Sequence, residues 1–299
     1  MRNVPFERPG RFWRGNLHTH SNLSDGALPP DQVARVYQQA GYDFVAITDH
    51  FRSEYGFALT DTRELRTSEF TTILGAELHA PRTEFSSEWH ILAVGLPLGF
   101  LPTGPNETGP ELARRARDAG AFIGMAHPAA SLLTLADAES LDAADAVEVY
   151  NVLAAREDRG DSWHLCDLLL GQGRRLSAYA ADDAHFQLQD PPGCLAWVHV
   201  RAESLDPAAL LAALKAGQYY SSTGPEIHAI RLHGGGLTVR CSPASKVVVT
   251  GCVPGSRVRE GDALIECTLP LDMFDRSTYV RVTVVDAAGG RAWSNPIWL

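Results

Sequence analysis

The sequence predicts an α/β chain in which a barrel of alternating strands and helices precedes a small all-β unit. Three observations carry this reading. Short apolar runs recur between about residues 14 and 201, each followed by a polar or small-residue loop and often by a helix-like stretch. Strand after helix after strand implies a parallel sheet, and the number of repeats favours a closed barrel over an open sheet. Past Ser221-Ser222-Thr223-Gly224-Pro225 the pattern changes, and apolar and polar positions alternate between turn signals.

The predicted strands are Gly15 to His18, Phe44 to Thr48, Thr72 to Leu78, Ile91 to Gly95, Phe122 to Ala126, Val147 to Tyr150, Leu176 to Ala180 and Leu195 to Val200. All are short and rich in β-branched or aromatic residues. Pro30 to Ala40 reads as a helix, with Asp31 near its start and Gly41 after its end. Glu111 to Ala119, stopped by Gly120, and Asp206 to Ala216, stopped by Gly217, follow the same logic. Residues 225–299 contain no convincing helix, so the chain divides into 1–224 and 225–299.

A chain of 299 residues has room for one large domain and a small companion. Its 45% apolar and 21% charged residues are those of a folded, soluble protein. The net charge of −10, without a Lys/Arg run, disfavours binding to nucleic-acid polymers and acidic membranes. The five cysteines are scattered and lack CxxC spacing, which points to free thiols in a reducing compartment. The N-terminal MRNVPFERPGRFWRG has positive charge but no apolar core, and no later run approaches the roughly 20 apolar residues of a membrane span. A cytoplasmic location is expected; the oligomeric state is not readable.

Histidine is the informative residue. Of eleven, six lie at predicted strand ends of the barrel half, mostly with carboxylates nearby. His18-Thr19-His20 throws both imidazoles to one side of an extended chain. Asp25 follows in a Ser-Asp-Gly loop, then His50 in ITDH, Glu77 in GAELH, His90 in WHILAVG, His127 in AHP, and Asp183 with His185 in DDAH. Parallel barrel strands would bring these ends to one rim. Each motif alone is a weak signal, since a strand histidine is commonly a satisfied core residue. Six imidazoles and three carboxylates on one rim are costly unless divalent ions compensate them, and nine ligands exceed the demand of a single ion.

The ordered run HTHSNLSDG, ITDH, GAELH, His90, AHP, VEVYN and DDAH resembles the polymerase-and-histidinol-phosphatase (PHP) superfamily of metal-dependent hydrolases. QYYSSTGPEI and the ending RAWSNPIWL resemble the carbaryl-hydrolase (CehA/McbA) branch, which carries an appended β domain. The resemblance implies a distorted (β/α)7 barrel and two or three divalent ions, zinc, manganese or iron. It implies that His18, His20, Glu77 and Asp183 hold one ion, that Glu77, His90 and His127 hold a second, and that Asp25, His50 and His185 hold a third. Asp182, where a small residue is usual, makes either acid of the pair a ligand candidate; spacing to His185 favours Asp183.

Three divalent ions and three carboxylates leave a pocket of about +3, which would draw in a small anionic substrate despite the acidic chain. The expected nucleophile is a metal-bridging hydroxide held by Glu77, with His185 assisting the leaving group. Arg52, Asn151 and Arg156 are candidate substrate-binding residues. The expected activity is phosphoester hydrolysis on a small phosphorylated metabolite or nucleotide. Carbamate, ester or amide hydrolysis is the alternative, and a non-catalytic regulatory PHP module the third reading. No GxSxG elbow is present, and the glycine runs at Gly171 to Gly173 and Gly234 to Gly236 read as turns. Asp49 and Asp182 are expected to orient imidazoles, His79 to support the site, and His164 to pack, while Trp13, Trp89 and Trp163 read as core.

Overall fold

A computed structural model describes residues 4–57, 59–85 and 88–299. The strands are β1 (Arg11–Asn16), β2 (Phe44–Val45), β3 (His50–Phe51), β4 (Thr71–Thr72), β5 (Gly75–Pro81), β6 (Glu88–Val94), β7 (Phe122–Met125), β8 (Ala146–Asn151), β9 (Ser177–Ala181), β10 (Trp197–Ala202), β11 (Tyr219–Ser222), β12 (Ile227–His233), β13 (Gly236–Gly251), β14 (Arg257–Pro270), β15 (Tyr279–Val285), β16 (Arg291–Ser294) and β17 (Ile297–Trp298). The helices are α1 (Pro30–Gln39), α2 (Gly109–Asp118), α3 (Leu135–Ser140), α4 (Val152–Ala155), α5 (Trp163–Gly171) and α6 (Pro207–Lys215).

The three predicted helices form where their end signals place them. Thr108 and Glu111 make a reciprocal capping box on α2, and Asp206 accepts from two first-turn amides of α6. None of the helices among the described residues is long and apolar enough to cross a membrane.

The strands form two sheets. One runs β3-β5-β6-β7-β8-β9; the other runs from β12 through β13, β15, β16, β11, β10 and β1 to β2 and β4. The expectation of an all-parallel set is corrected at two places. β6 is antiparallel to β5 and β7, because the short link from Pro81 to Glu88 leaves no room for a crossover helix. β10 is antiparallel to β1 and leads on to β11 and β16, so the C-terminal strands extend this sheet. The ladders do not close into one cylinder. The sheets meet at a bridge between Thr19 and Ala184 and along the extended run from β2 to β3.

The C-terminal strands are docked firmly. Arg281 grips Asp167 of α5 through two hydrogen bonds of 2.9 and 2.7 Å and lies over the Trp163 ring, while the Tyr279 hydroxyl donates to the same carboxylate at 2.9 Å. Tyr279 and Trp293 join the same buried cluster as Val147, Leu169 and Cys166. Burying each such large side chain contributes roughly 1.5–3 kcal/mol. All five cysteines are free thiols.

Candidate metal centre

The site is assembled by two local pairings. His18 to His20 lies in parallel register with Asp183 to His185: the Asp183 amide donates to the His18 carbonyl at 2.9 Å, and the His20 amide to the Ala184 carbonyl at 2.9 Å. On the other flank the Thr48 amide donates to the Thr19 carbonyl at 2.8 Å, delivering the segment that ends at His50. Because β6 is antiparallel, its beginning lies at the end of β5, where His90 stands opposite His79. His90 therefore reaches the rim from the start of its strand.

All nine predicted metal-site residues come together, and each carboxylate has its own pair of imidazoles. Asp183 Oδ1 lies 3.3 Å from His18 Nε2 and 3.0 Å from His20 Nε2. Glu77 Oε1 lies 2.8 Å from His90 Nδ1 and 3.1 Å from His127 Nε2. Asp25 sits 3.3 Å from both His50 Nε2 and His185 Nε2. Glu77 is central: its carboxylate also lies 3.8 Å from His18, 3.7 Å from His20 and 2.6 Å from His50. The Asp183 set and Glu77 are buried and His90 and His127 partly so, whereas the Asp25 side chain is 41% exposed and marks the side that meets solvent.

The donor set fits divalent ions. His18 Nε2, His20 Nδ1 and Glu77 Oε2 are buried without a hydrogen-bond partner, and His50 Nδ1, which pairs with His79 Nε2, meets Glu77 Oε2 as an ion-pair contact. Burial works against charge on Glu77 and Asp183, yet the surrounding imidazoles hold both carboxyls well below the usual range. Burial also opposes charge on His50, but Glu77 and Asp25 raise it to about 10, while burial brings neighbouring His20 down to about 4. Protonated imidazoles thus balance the carboxylates, and a cation would take over that charge by displacing their protons.

Backbone strain sets two of these side chains. Asp183 and His127 have φ of 53° and 27°, a region that residues other than glycine rarely enter. The left-handed turn at Asp183 sends the two acids of the Asp182-Asp183 pair to opposite sides. Asp182 accepts from Tyr37 Oη at 2.9 Å and from the amides of Cys194, Leu195 and Ala196 at 2.8 Å each. Burial, against these bonds, raises its carboxyl to about 6.

Other expectations need correction. Asp182 and Asp49 bond no imidazole. Asp49 accepts from the Ser21 amide at 2.6 Å, Ser21 Oγ at 2.7 Å and Ser24 Oγ at 2.9 Å, and so pins the loop that carries Asp25. Gly26 closes that loop where an added Cβ would come 2.6 Å from the His20 carbonyl oxygen. Asn151 is fully buried, and its amide is committed to Glu148 and Asp183 at 3.1 Å each, which leaves it no donor for a substrate. Arg52 bonds Glu88 at 2.6 Å, and Arg156 pairs with Asp190 at 3.3 Å. His164 is exposed rather than packed. His79 is buried, with Nε2 2.9 Å from His50 Nδ1. Beside it opens a cavity of about 410 Å³ lined by Phe51, Arg52, Phe57, His79, Pro81 and Glu88.

Sequence reasoning missed Glu148. Fully buried, it lies 3.1 Å from His18 Nδ1 and accepts the His127 amide at 2.6 Å, so it turns the His18 ring to face Glu77 and Asp183. The available signal was an acid between Val147 and Val149, flanked by apolar residues within β8.

A structure of a two-domain protein from Bacteroides vulgatus, containing a predicted PHP-like metal-dependent phosphoesterase, matches 98% of this chain over 98% of its own, with 12% identity and a TM-score of 0.52. This chain shares the overall fold of that two-domain protein. A provisionally described metal-dependent phosphoesterase from Bifidobacterium adolescentis is 15% identical, covering 60% of this chain and 91% of its own at a TM-score of 0.45. An amidohydrolase from Chromobacterium violaceum, with bound sulfate and no metal, is 15% identical, covering 57% and 87% at a TM-score of 0.43. No protein-family model and no curated protein matches the sequence.

Proposed function

We propose that this chain is a metal-dependent hydrolase, with residues 1–224 as the hydrolase part and 225–299 as its β unit, and that it cleaves phosphate esters of small molecules. In this reading the two sheets count as one distorted (β/α)7 barrel, joined through Thr19, Ala184 and the run from β2 to β3. The observation that carries it is the gathering of three carboxylates, each with its own imidazole pair, around buried donor atoms that have no hydrogen bond.

His18, His20, Glu77 and Asp183 would hold one ion, Glu77, His90 and His127 a second, and Asp25, His50 and His185 a third. Bound there, zinc, manganese or iron would supply Lewis acidity and a water acidic enough to react near neutral pH. The chain does the positioning. Glu148 orients His18, and Ser131 Oγ, 2.9 Å from His127 Nδ1, fixes His127 with Nε2 towards Glu77. His185 is held by its Nδ1 against the Asp183 carbonyl at 2.9 Å, with Nε2 on the solvent-facing Asp25 side; that nitrogen would either hold the third ion or, with that ion absent, pass a proton to a departing oxygen. The substrate enters on this side, and the cavity beside His79 receives its remainder.

Carbamate or ester cleavage is favoured by one observation: Arg52 and Arg156 are each paired with a carboxylate, which offsets part of the positive charge an anionic group would meet. Protein loaded with manganese or zinc, assayed on p-nitrophenyl phosphate, bis-p-nitrophenyl phosphate and 1-naphthyl N-methylcarbamate, separates the readings. Turnover of the phosphates is expected, with Glu77→Ala losing both turnover and metal content and exposed His233→Ala losing neither. Cleavage of the carbamate alone overturns the phosphoester reading. Metal uptake with no turnover on any substrate points to a regulatory module.

A further inference from the structure

We infer that Ser221 and Asn295, outside the ligand set, are positioning residues for the metal centre, acting through the backbone of β9. The inference rests on the metal reading above. β9 carries Asp183 and His185 just past its end and is laddered on one side only, to β8. A buried strand edge must still satisfy its amides. Here side chains take the place of a strand. The amide of Ala178 donates to Asn295 Oδ1 at 2.7 Å, that of Ala180 to Ser221 Oγ at 3.1 Å, and that of Asp182 to Asn16 Oδ1 at 3.1 Å. These are alternate residues, all facing the open edge, and the three partners are buried.

The anchors are themselves fixed. Asn295 Nδ2 donates to the carbonyls of Gly217 at 3.1 Å and Tyr219 at 3.0 Å, and Ser221 Oγ donates to the Ala178 carbonyl at 3.2 Å. Ser221 lies on β11 and Asn295 just past β16, which pair with each other. They also belong to the SSTGP and SNPIW motifs, which the ligand set leaves unused. The C-terminal strands thus set the register of β9, and past Asp182 the ladder to His18 and His20 takes over.

Ser221→Ala and Asn295→Ala each remove one acceptor and leave one buried β9 amide unpaired. Ions that depend on Asp183 and His185 should then bind about 10–100-fold more weakly, as for other residues that orient ligands. The ion on Glu77, His90 and His127 should be retained. Arg281→Met, which loosens the docking without touching β9, is the control: it should lower Tm and leave every metal affinity unchanged. Titration against metal buffers, with elemental analysis of the ions retained, reads this without turnover. Unchanged affinities in both alanine variants, or equal losses in Arg281→Met, would overturn the inference. If the variants do not fold, hydrogen exchange on the wild-type protein decides: the amides of Ala178, Ala180 and Asp182 should be as protected as those bonded to β8, and fast exchange refutes the clamp. A wild-type chain that binds no divalent ion removes the metal reading and this inference together.

Discussion

Among the strands that are laddered on one side only within the described residues, β9 and β14 deal with the open edge in opposite ways. β9 is buried, and its open amides meet side-chain oxygens of Asn295, Ser221 and Asn16. β14 pairs only with β13, is largely exposed, and carries Arg257, Arg259, Glu260, Asp262 and Glu266. Register shifts opposite its middle and a φ of 51° at Ala263 bend it away from a flat template. A solvated edge needs only to avoid other chains. An edge that leads into Asp183 must be held in one register, and single hydrogen bonds from fixed side chains do that without adding a strand that would cover the rim.

The comparison is broken most severely at Asn16. Its side chain accepts from the Asp182 amide and donates to the His18 carbonyl at 2.8 Å and to Tyr37 Oη at 3.0 Å, so it ties both ligand-bearing segments to α1. Asn16→Ala strands the Asp182 amide in a fully buried place, while the His18 carbonyl keeps its bond from the Asp183 amide. At about 1–3 kcal/mol for the unsatisfied amide and about 1 kcal/mol for each of the two other bonds lost, a loss of about 3–5 kcal/mol is expected in denaturant unfolding. A loss below about 1 kcal/mol would show that the edge relaxes or takes up water.

β10, laddered on both sides by β1 and β11, is the reference for a satisfied strand. His199 on it accepts from Trp197 Nε1 at 2.8 Å and stacks on Tyr220 with ring centres 4.7 Å apart. Burial, aided by the Arg14 cation, lowers its imidazole to about 3 from an unfolded value of 6.5. Below pH 6.5 the unfolded chain takes up a proton that the folded one refuses, so stability is lost as pH falls from about 6.5 towards about 3. His199→Phe removes that contribution. Its Tm should fall less steeply than the wild type's over this window, and parallel curves would show that His199 is not responsible.

These contrasts also explain what could be read in advance. The nine gathered side chains were legible because their signals are local: HxH and DxH are two-residue spacings, and His50, Glu77 and His127 each end an apolar run. The direction of β6 was not, since periodicity gives a strand's faces but not its sense. The edge clamp was illegible for another reason. Asn295 and Ala178 are 117 residues apart, Asn16 and Asp182 166, and Glu148 and His18 130. An isolated asparagine or serine carries no mark of so distant a partner. The roles of Asp182 and Asp183 turned on one left-handed residue, which DDA does not announce.

The smallest effects are expected at β14. Ile265 is 63% exposed on a strand whose outer edge meets solvent, so Ile265→Lys should change unfolding free energy by no more than about 0.5 kcal/mol. The charges matter in a different way: they oppose pairing with another chain rather than hold the fold. Replacing Glu260 and Glu266 with valine should therefore leave Tm nearly unchanged while shifting sedimentation towards larger species as concentration rises. If the size distribution stays that of the wild type, the bend at Ala263 alone protects this edge, and charge is the redundant half of the device.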